Sequence, residues 1–327
     1  MCKRVGWAFL RAIIFVALLA GCAATSGRER RATLPQPFEA AGLATVGLGS
    51  LLHLHPTEGA PRTIPIDHEA ANPSVTWLGQ SSFLIRLAGK VILTDPMFSE
   101  TLELHLPLKP QRLADPPPNA NRLRRVDVIL ISHLDHDHFD MPTLQQLAAR
   151  FPDALLLMPQ GTETFARKTG FRKVKTVPVW DTRRLGGLKL TALPAAHFGR
   201  RDVVGLARTK AIGWAIRGGT HNIYFSGDTG YSSIFRQIRQ RQGRFDIALV
   251  TIGSWKPERV FAGIHMNPDD ALQAASTLGA RLAIGHHWGT FNFGRESPAE
   301  TRRRFLGASA PGVRPVLLDI GETLRLG

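Results

Sequence analysis

Apolar residues recur along this chain in short runs, each closed by a turn signal. Val75-Thr76-Trp77-Leu78, Phe83-Leu84-Ile85-Arg86-Leu87 and Val91-Ile92-Leu93-Thr94 read as strands around Gly79 and Gly89. Residues 107–119 carry five prolines and read as a loop. Val126-Asp127-Val128-Ile129-Leu130-Ile131 reads as a buried strand. Asp140 followed by Pro142 has the pattern of an N-cap, for a helix through about Arg150. Strands are expected at Leu155–Met158, Leu188–Leu193, Ala211–Ile216, Asn222–Ser226, Ile247–Ile252, Leu282–Gly285 and Val316–Leu318. Helices are expected near Thr162–Lys168, Ser232–Gln242, Pro268–Leu278 and Pro298–Leu306. This alternation, with no internal repeat, predicts an α/β sandwich of mixed sheets.

The N-terminus is patterned differently. Basic residues Lys3, Arg4 and Arg11 precede an apolar run from Ala12 to Ala20, and Leu19-Ala20-Gly21-Cys22 follows. The run is short for a membrane span of ~20 residues. A basic region, a short apolar region and small residues before a cut mark a secretory signal. Leu19-Ala20-Gly21-Cys22 resembles the lipobox of bacterial lipoproteins, which implies a signal peptide at 1–21 and a lipidated Cys22. Ala23 after the cysteine, rather than aspartate, implies the outer membrane, facing the periplasm. Residues 22–70, rich in Ala, Gly, Pro and Arg, read as an irregular tether, and 71–327 as the folded domain. His53, His55 and His68 fall in the tether without ligand-like neighbours and read as surface residues.

Composition narrows this picture. Apolar residues make up 43 % of the 327 positions and charged ones 20 %, ordinary for a globular body. The net charge of +15 comes mainly from dispersed arginines. No basic block with interleaved aromatics exists, so no nucleic-acid partner is expected, and anionic lipid or a phosphate-bearing substrate accounts for the charge. The two cysteines, Cys2 and Cys22, are both N-terminal, which excludes a disulfide framework and thiolate metal ligands from the body.

Candidate chemistry concentrates late in the chain. Ile131-Ser132-His133-Leu134-Asp135-His136-Asp137-His138-Phe139-Asp140 places three histidines and three aspartates directly after a buried strand. Imidazole and carboxylate are ligands for zinc and similar cations. His197 follows the strand ending at Leu193, as a ligand or as a structural histidine. Asp228 stands between Gly227 and Thr229 at a strand end, where it can cap the next helix or bridge two cations. His286 and His287 close the series, and strand alternation assigns them to opposite faces, so one is a ligand and the other packs or supports.

The order of these motifs resembles the metallo-β-lactamase superfamily, whose pattern is H-x-H-x-D-H. Six segments resemble one branch, the N-acyl-phosphatidylethanolamine-hydrolysing phospholipase D family and its bacterial relatives. They are Trp77-Leu78-Gly79, Leu93-Thr94-Asp95-Pro96-Met97-Phe98-Ser99, Pro194-Ala195-Ala196-His197, Phe225-Ser226-Gly227-Asp228-Thr229-Gly230-Tyr231, His265-Met266-Asn267-Pro268-Asp269-Asp270-Ala271 and His287-Trp288-Gly289-Thr290-Phe291. The resemblance runs from about Ser74 to about Arg295 and implies an αββα sandwich of two mixed sheets flanked by helices. It implies two divalent metal ions, zinc first, with manganese or iron as alternatives at the site containing Asp135. His133, Asp135, His197 and Asp228 would hold one ion, and Asp137, His138, Asp228 and His287 the other. His265 would stand at the rim as a supporting or substrate-contacting residue, and His136 is not carried over as a ligand.

Two residues depart from the family's pattern. Gln80 stands where the motif has histidine, and Asp135 where the second histidine of H-x-H-x-D-H belongs. Aspartate is anionic and harder than imidazole, which shifts metal preference. The implied reaction is hydrolysis of a phospholipid or another phosphodiester by a hydroxide whose parent water two cations have acidified from ~15.7 to ~7. Asp137 and Asp228 would serve catalysis as well as binding, and Arg200 or Arg201 would pair with the phosphate. The rivals are a lactonase of the ascorbate-6-phosphate lactonase type and a non-catalytic metal-binding envelope lipoprotein.

Overall fold

The computed structural model describes residues 57–103, 112–201, 208–291 and 293–327. The signal-peptide and lipobox segment, His53, His55 and most of the tether lie outside the described residues. Two seven-stranded sheets form the described body. The first holds β1 (Ser74–Trp77), β2 (Phe83–Leu87), β3 (Lys90–Thr94), β4 (Val128–Leu130), β5 (Leu155–Pro159), β6 (Lys173–Val177) and β14 (Thr323–Arg325), in the order β14-β1-β2-β3-β4-β5-β6. The second holds β7 (Thr182–Leu185), β8 (Leu188–Arg200), β9 (Arg208–Gly218), β10 (His221–Phe225), β11 (Ile247–Thr251), β12 (Leu282–His286) and β13 (Arg314–Val316), in the order β13-β12-β11-β10-β9-β8-β7. Both are mixed: β1 to β3 and β7 to β10 pair antiparallel, whereas β3 to β6 and β10 to β13 pair parallel. The helices are α1 (Met141–Arg150), α2 (Glu163–Ala166), α3 (Ile234–Gln242), α4 (Glu258–Phe261), α5 (Pro268–Leu278) and α6 (Pro298–Gly307). The αββα expectation holds.

Strand alternation explains the layers. Val128 and Leu130 of β4 join the cluster between the sheets, with Phe83, Trp214 and Phe225. Ile129 and the following Ile131 face the other way, onto Leu144 and Leu147 of α1. β5 repeats this, with Leu157 inside and Leu156 and Met158 under the helix. A strand buried on both faces must be apolar at every position, which is why β4 reads as a continuous run. Each fully buried Leu or Ile contributes about 1.5–3 kcal/mol.

Several elements differ from the sequence reading. β8 extends to Arg200, with a register shift between Pro194 and Phe198. His197 therefore lies within an irregular stretch of a strand rather than after it. β6, β7, β14 and α4 were not legible: β6 and β7 are sheet edges with exposed charges, and β14 and α4 are only three and four residues long. Residues 57–70, read as tether, are irregular but packed onto the domain. Thr63 bridges Ile320, Arg62 pairs with Asp319 at 2.6 Å, and Ile66 is buried.

The two sheets meet at one end through Gly227. It follows β10 with φ +53°, and a Cβ there would lie 2.5 Å from Cβ of Ser132, which follows β4. Gly227→Ala should therefore lower stability by about 1–3 kcal/mol, read as a shifted denaturant midpoint, and should weaken metal binding by displacing Asp228. An unchanged midpoint would contradict this close approach.

Candidate metal centre

The loop leaving β4 supplies four candidate ligands because it turns at once. Amides of His138 and Phe139 donate to the Asp135 carbonyl at 3.0 and 2.8 Å, curling the chain by one helical turn. Asp140 occupies the N-cap position of α1, as expected, but its carboxylate takes bonds from Ser99 and the Thr143 hydroxyl instead of the helix amides. The second sheet supplies the rest: His197 from the β8 irregularity, Asp228 after β10 and His287 after β12.

These side chains converge. One oxygen of Asp228, Oδ2, lies 3.1 Å from Nε2 of both His138 and His287, and 4.0 Å from Nε2 of His133. Asp137 Oδ2 lies 3.0 Å from His287 Nε2 and 3.3 Å from His138 Nε2. Ligand atoms of Asp137, His138, Asp228 and His287 form one cluster within 4.8 Å, and those of His133, His197 and Asp228 form another. Asp135 Oδ2 stands 3.5 Å from His133 Nε2 and 3.4 Å from His197 Nε2, so aspartate reaches the cluster of His133, His197 and Asp228. Its side chain is 32 % exposed while the histidines around it are buried, so Asp135 marks the open side of the centre. The donor clusters do not include His136.

The environment fits a cation. Among the described residues Asp137 and Asp228 form ion pairs only with histidines. Nε2 of His133 and of His138 and Oδ1 of Asp228 are buried without a hydrogen-bond partner. Buried carboxylates need compensating positive charge. Without a metal, protons supply it. Burial opposes charge on His138, but Asp228 and Asp137 raise its pKa well above the ordinary value. Burial likewise opposes charge on His287, but Asp228 and Asp137 bring it to about 9. Burial pushes Asp137 and Asp228 up, yet the neighbouring histidines hold both well below the usual carboxylate range. Nitrogen and oxygen donors without thiolate suit zinc, manganese or iron.

Supporting groups fix the rings. Asp95 Oδ2 receives His138 Nδ1 at 2.8 Å and the Ser132 hydroxyl at 2.5 Å, and Ser132 Oγ lies 2.8 Å from His133 Nδ1. Asp95 thus orients two ligands from behind, the usual carboxylate–histidine arrangement. Sequence reasoning gave it no role, although its place at the end of β3, beside the strand feeding the cluster, was a usable signal. The His286/His287 pair is separated by backbone: β12 ends at His286, and His287 adopts φ +61°, which turns it into the centre. His286 packs between Phe83 and Phe225 and lies 3.1 Å from the hydroxyls of both Ser81 and Ser226.

His265 lines the centre between His197 and His287, with ring centroids 5.4 and 5.3 Å away. Its Nε2 is 3.9 Å from Asp228 Oδ2, and burial lowers its pKa to about 3, so its imidazole is neutral. The Arg200 side chain lies outside the described residues. Arg201, the alternative phosphate partner, is instead held by Glu103 and the Phe139 carbonyl, with its guanidinium over the Phe139 ring. His68 lies 3.1 Å from the Asn119 amide and takes no part, in keeping with its surface reading.

A sandwich of two mixed sheets with a His/Asp centre where their strands end is the architecture of metal-dependent hydrolases. The chain belongs to the family described as "Beta-lactamase superfamily domain", which matches residues 90–288. It is 33 % identical over 250 residues to an uncharacterised protein of Mycobacterium tuberculosis, covering 74 % of this chain and 66 % of that one. It is 27 % identical over 248 residues to N-acyl-phosphatidylethanolamine-hydrolyzing phospholipase D 1 of Caenorhabditis elegans, covering 69 % and 67 %. The solved isothiocyanate hydrolase from Delia radicum gut bacteria shares the fold at TM-score 0.62 and 20 % identity, over 77 % of this chain and 98 % of that one.

Two outcomes are expected. In metal-free protein the folded pKa of His287, about 9, lies above the ordinary 6.5, so its contribution to stability is complete below pH 6.5 and disappears as pH rises through 9. The thermal midpoint of chelator-treated protein should fall across that window; a flat profile would contradict the assignment. Asp135→Ala should weaken metal binding roughly 10-fold or more, measured by metal titration and elemental analysis. Unchanged stoichiometry and affinity would remove Asp135 from the donor set.

Proposed function

We propose that the protein is a metal-dependent phosphodiesterase of phospholipase D type, acting on N-acylated or related phospholipids. The observation that carries this reading is the carboxylate of Asp228, which belongs to both donor clusters, as expected of a ligand shared by two cations. The named C. elegans relative supports the phospholipid class. Two divalent ions, zinc foremost, would supply charge neutralisation at a phosphoryl group and a nucleophile at neutral pH. With Asp135 in place of a histidine, the cluster of His133, His197 and Asp228 gains a second carboxylate and would suit manganese or iron as well.

The chain's own residues do the rest. Asp95 and Ser132 hold the rings of His133 and His138 against rotation. The neighbouring histidines favour the ionised forms of Asp137 and Asp228. His265 is neutral, so it serves as an N–H donor to a substrate oxygen rather than as an acid. Asp135, on the open side, borders the path by which substrate arrives. Lipidation at Cys22 would keep this opening beside a bilayer of the cell envelope, at the outer membrane facing the periplasm, where phospholipid is concentrated.

Purified protein should hydrolyse N-acyl-phosphatidylethanolamine and bis-p-nitrophenyl phosphate, lose activity in chelator and regain it with zinc or manganese. His265→Ala should lower kcat/KM about 10- to 100-fold at unchanged metal content, the cost of about 1–3 kcal/mol for a lost buried hydrogen bond. Lactone turnover without phosphodiester turnover would overturn the phospholipase reading. Less than one tightly held metal per chain, with no turnover, would overturn the enzyme reading altogether.

A further inference from the structure

Gln80 departs from the family's histidine, and the structure gives it specific work. It lies in the β1–β2 turn after Gly79, fully buried, with φ +46°. A left-handed conformation in a non-glycine residue is strained and persists only where surroundings enforce it. They do so here through four bonds. The Gln80 amide donates to Thr290 Oγ1 at 2.8 Å. Its carbonyl accepts from Trp77 Nε1 and from the backbone amide of His287, each at 3.0 Å. Its side-chain Nε2 donates to Asp137 Oδ2 at 2.7 Å.

One residue therefore grips two candidate ligands from opposite sheets. Asp137 belongs to the loop after β4, and His287 follows β12. Asp137 Oδ2 is also the atom that meets His287 Nε2 at 3.0 Å. The side-chain orientation is forced, because turning the amide over would set its oxygen against a carboxylate oxygen. The other amide atom, Oε1, is left buried without a hydrogen-bond partner among the described residues. An unsatisfied buried acceptor loses its hydration without compensation and is destabilising. A residue chosen only to fill the turn would not carry that cost, since an apolar side chain of similar size avoids it.

We infer that Gln80 is a positioning residue, which fixes the Asp137 carboxylate and the His287 backbone relative to each other and so sets metal affinity at the cluster they share with His138 and Asp228. This rests on the metal-centre part of the proposed function and not on the substrate. The test is therefore made without substrate, so that failure of the phosphodiester assay and failure of this inference are separate results.

Full-length wild type, Gln80→Leu, Gln80→Met and Gln80→His are stripped of metal and titrated with zinc, and with cobalt to follow its absorption spectrum. Leucine and methionine should lower affinity for one of the two metal equivalents about 10- to 100-fold and alter the cobalt spectrum. Thermal midpoints of the metal-free forms should change far less. Histidine retains an N–H donor and should keep affinity near the wild-type value. Folded Leu or Met variants with wild-type affinity and cobalt spectrum would overturn the inference, as would a His variant as weak as leucine. The flexible methionine keeps the test open if leucine does not fold.

Discussion

Negative charge buried between two sheets is the constraint on which this structure turns. Asp228 sits within about 3 to 4 Å of histidine nitrogens from both halves of the molecule. Neither half can satisfy it alone. The β4 loop brings His133 and His138, the second sheet brings His287 and His265, and none of these rings is useful unless the sheets are stacked in register. The hydrophobic interior sets that stacking, and the carboxylates make its outcome a cation site. Metal binding and sandwich assembly are thus linked, since a ligand that binds only the folded state stabilises it.

Much of this was legible in the residues. β4 announced itself because burial on both faces leaves no polar alternation, and the cluster followed it directly. α5 was expected near Pro268–Leu278 and forms there, with Asn267 Oδ1 accepting from the Asp270 amide as its N-cap. What stayed hidden was non-local or backbone in origin. The extension of β8 depends on its partner β9, and no periodicity inside Pro194–Arg200 reports it. Strand-face counting separated His286 from His287, but the feature that turns His287 inward is a left-handed backbone beyond the strand end.

The supporting groups were harder to foresee than the ligands. Ligands share a recognisable chemistry, whereas Asp95 and Gln80 act through hydrogen bonds made from distant turns. Their signal lay in position: each follows a strand on the same end of the first sheet as the cluster. Both have positive φ, as does His287, so three non-glycine residues at the centre hold conformations that side chains disfavour. Strain of this kind concentrates where the fold over-determines geometry.

The pairing of β14 with β1 also bears on how the chain reaches this state. Thr323 stands opposite Thr76, their hydroxyl oxygens 2.7 Å apart across a separation of 247 residues. During synthesis β1 leaves the ribosome early, and the segment that covers its outer edge leaves only after the other described strands. Until then an apolar strand presents unpaired amides and carbonyls to any neighbouring chain, the situation in which strands join wrongly. β14 therefore shields the outer edge of a strand from which it is 247 residues distant in sequence, an intramolecular guard against edge-to-edge pairing.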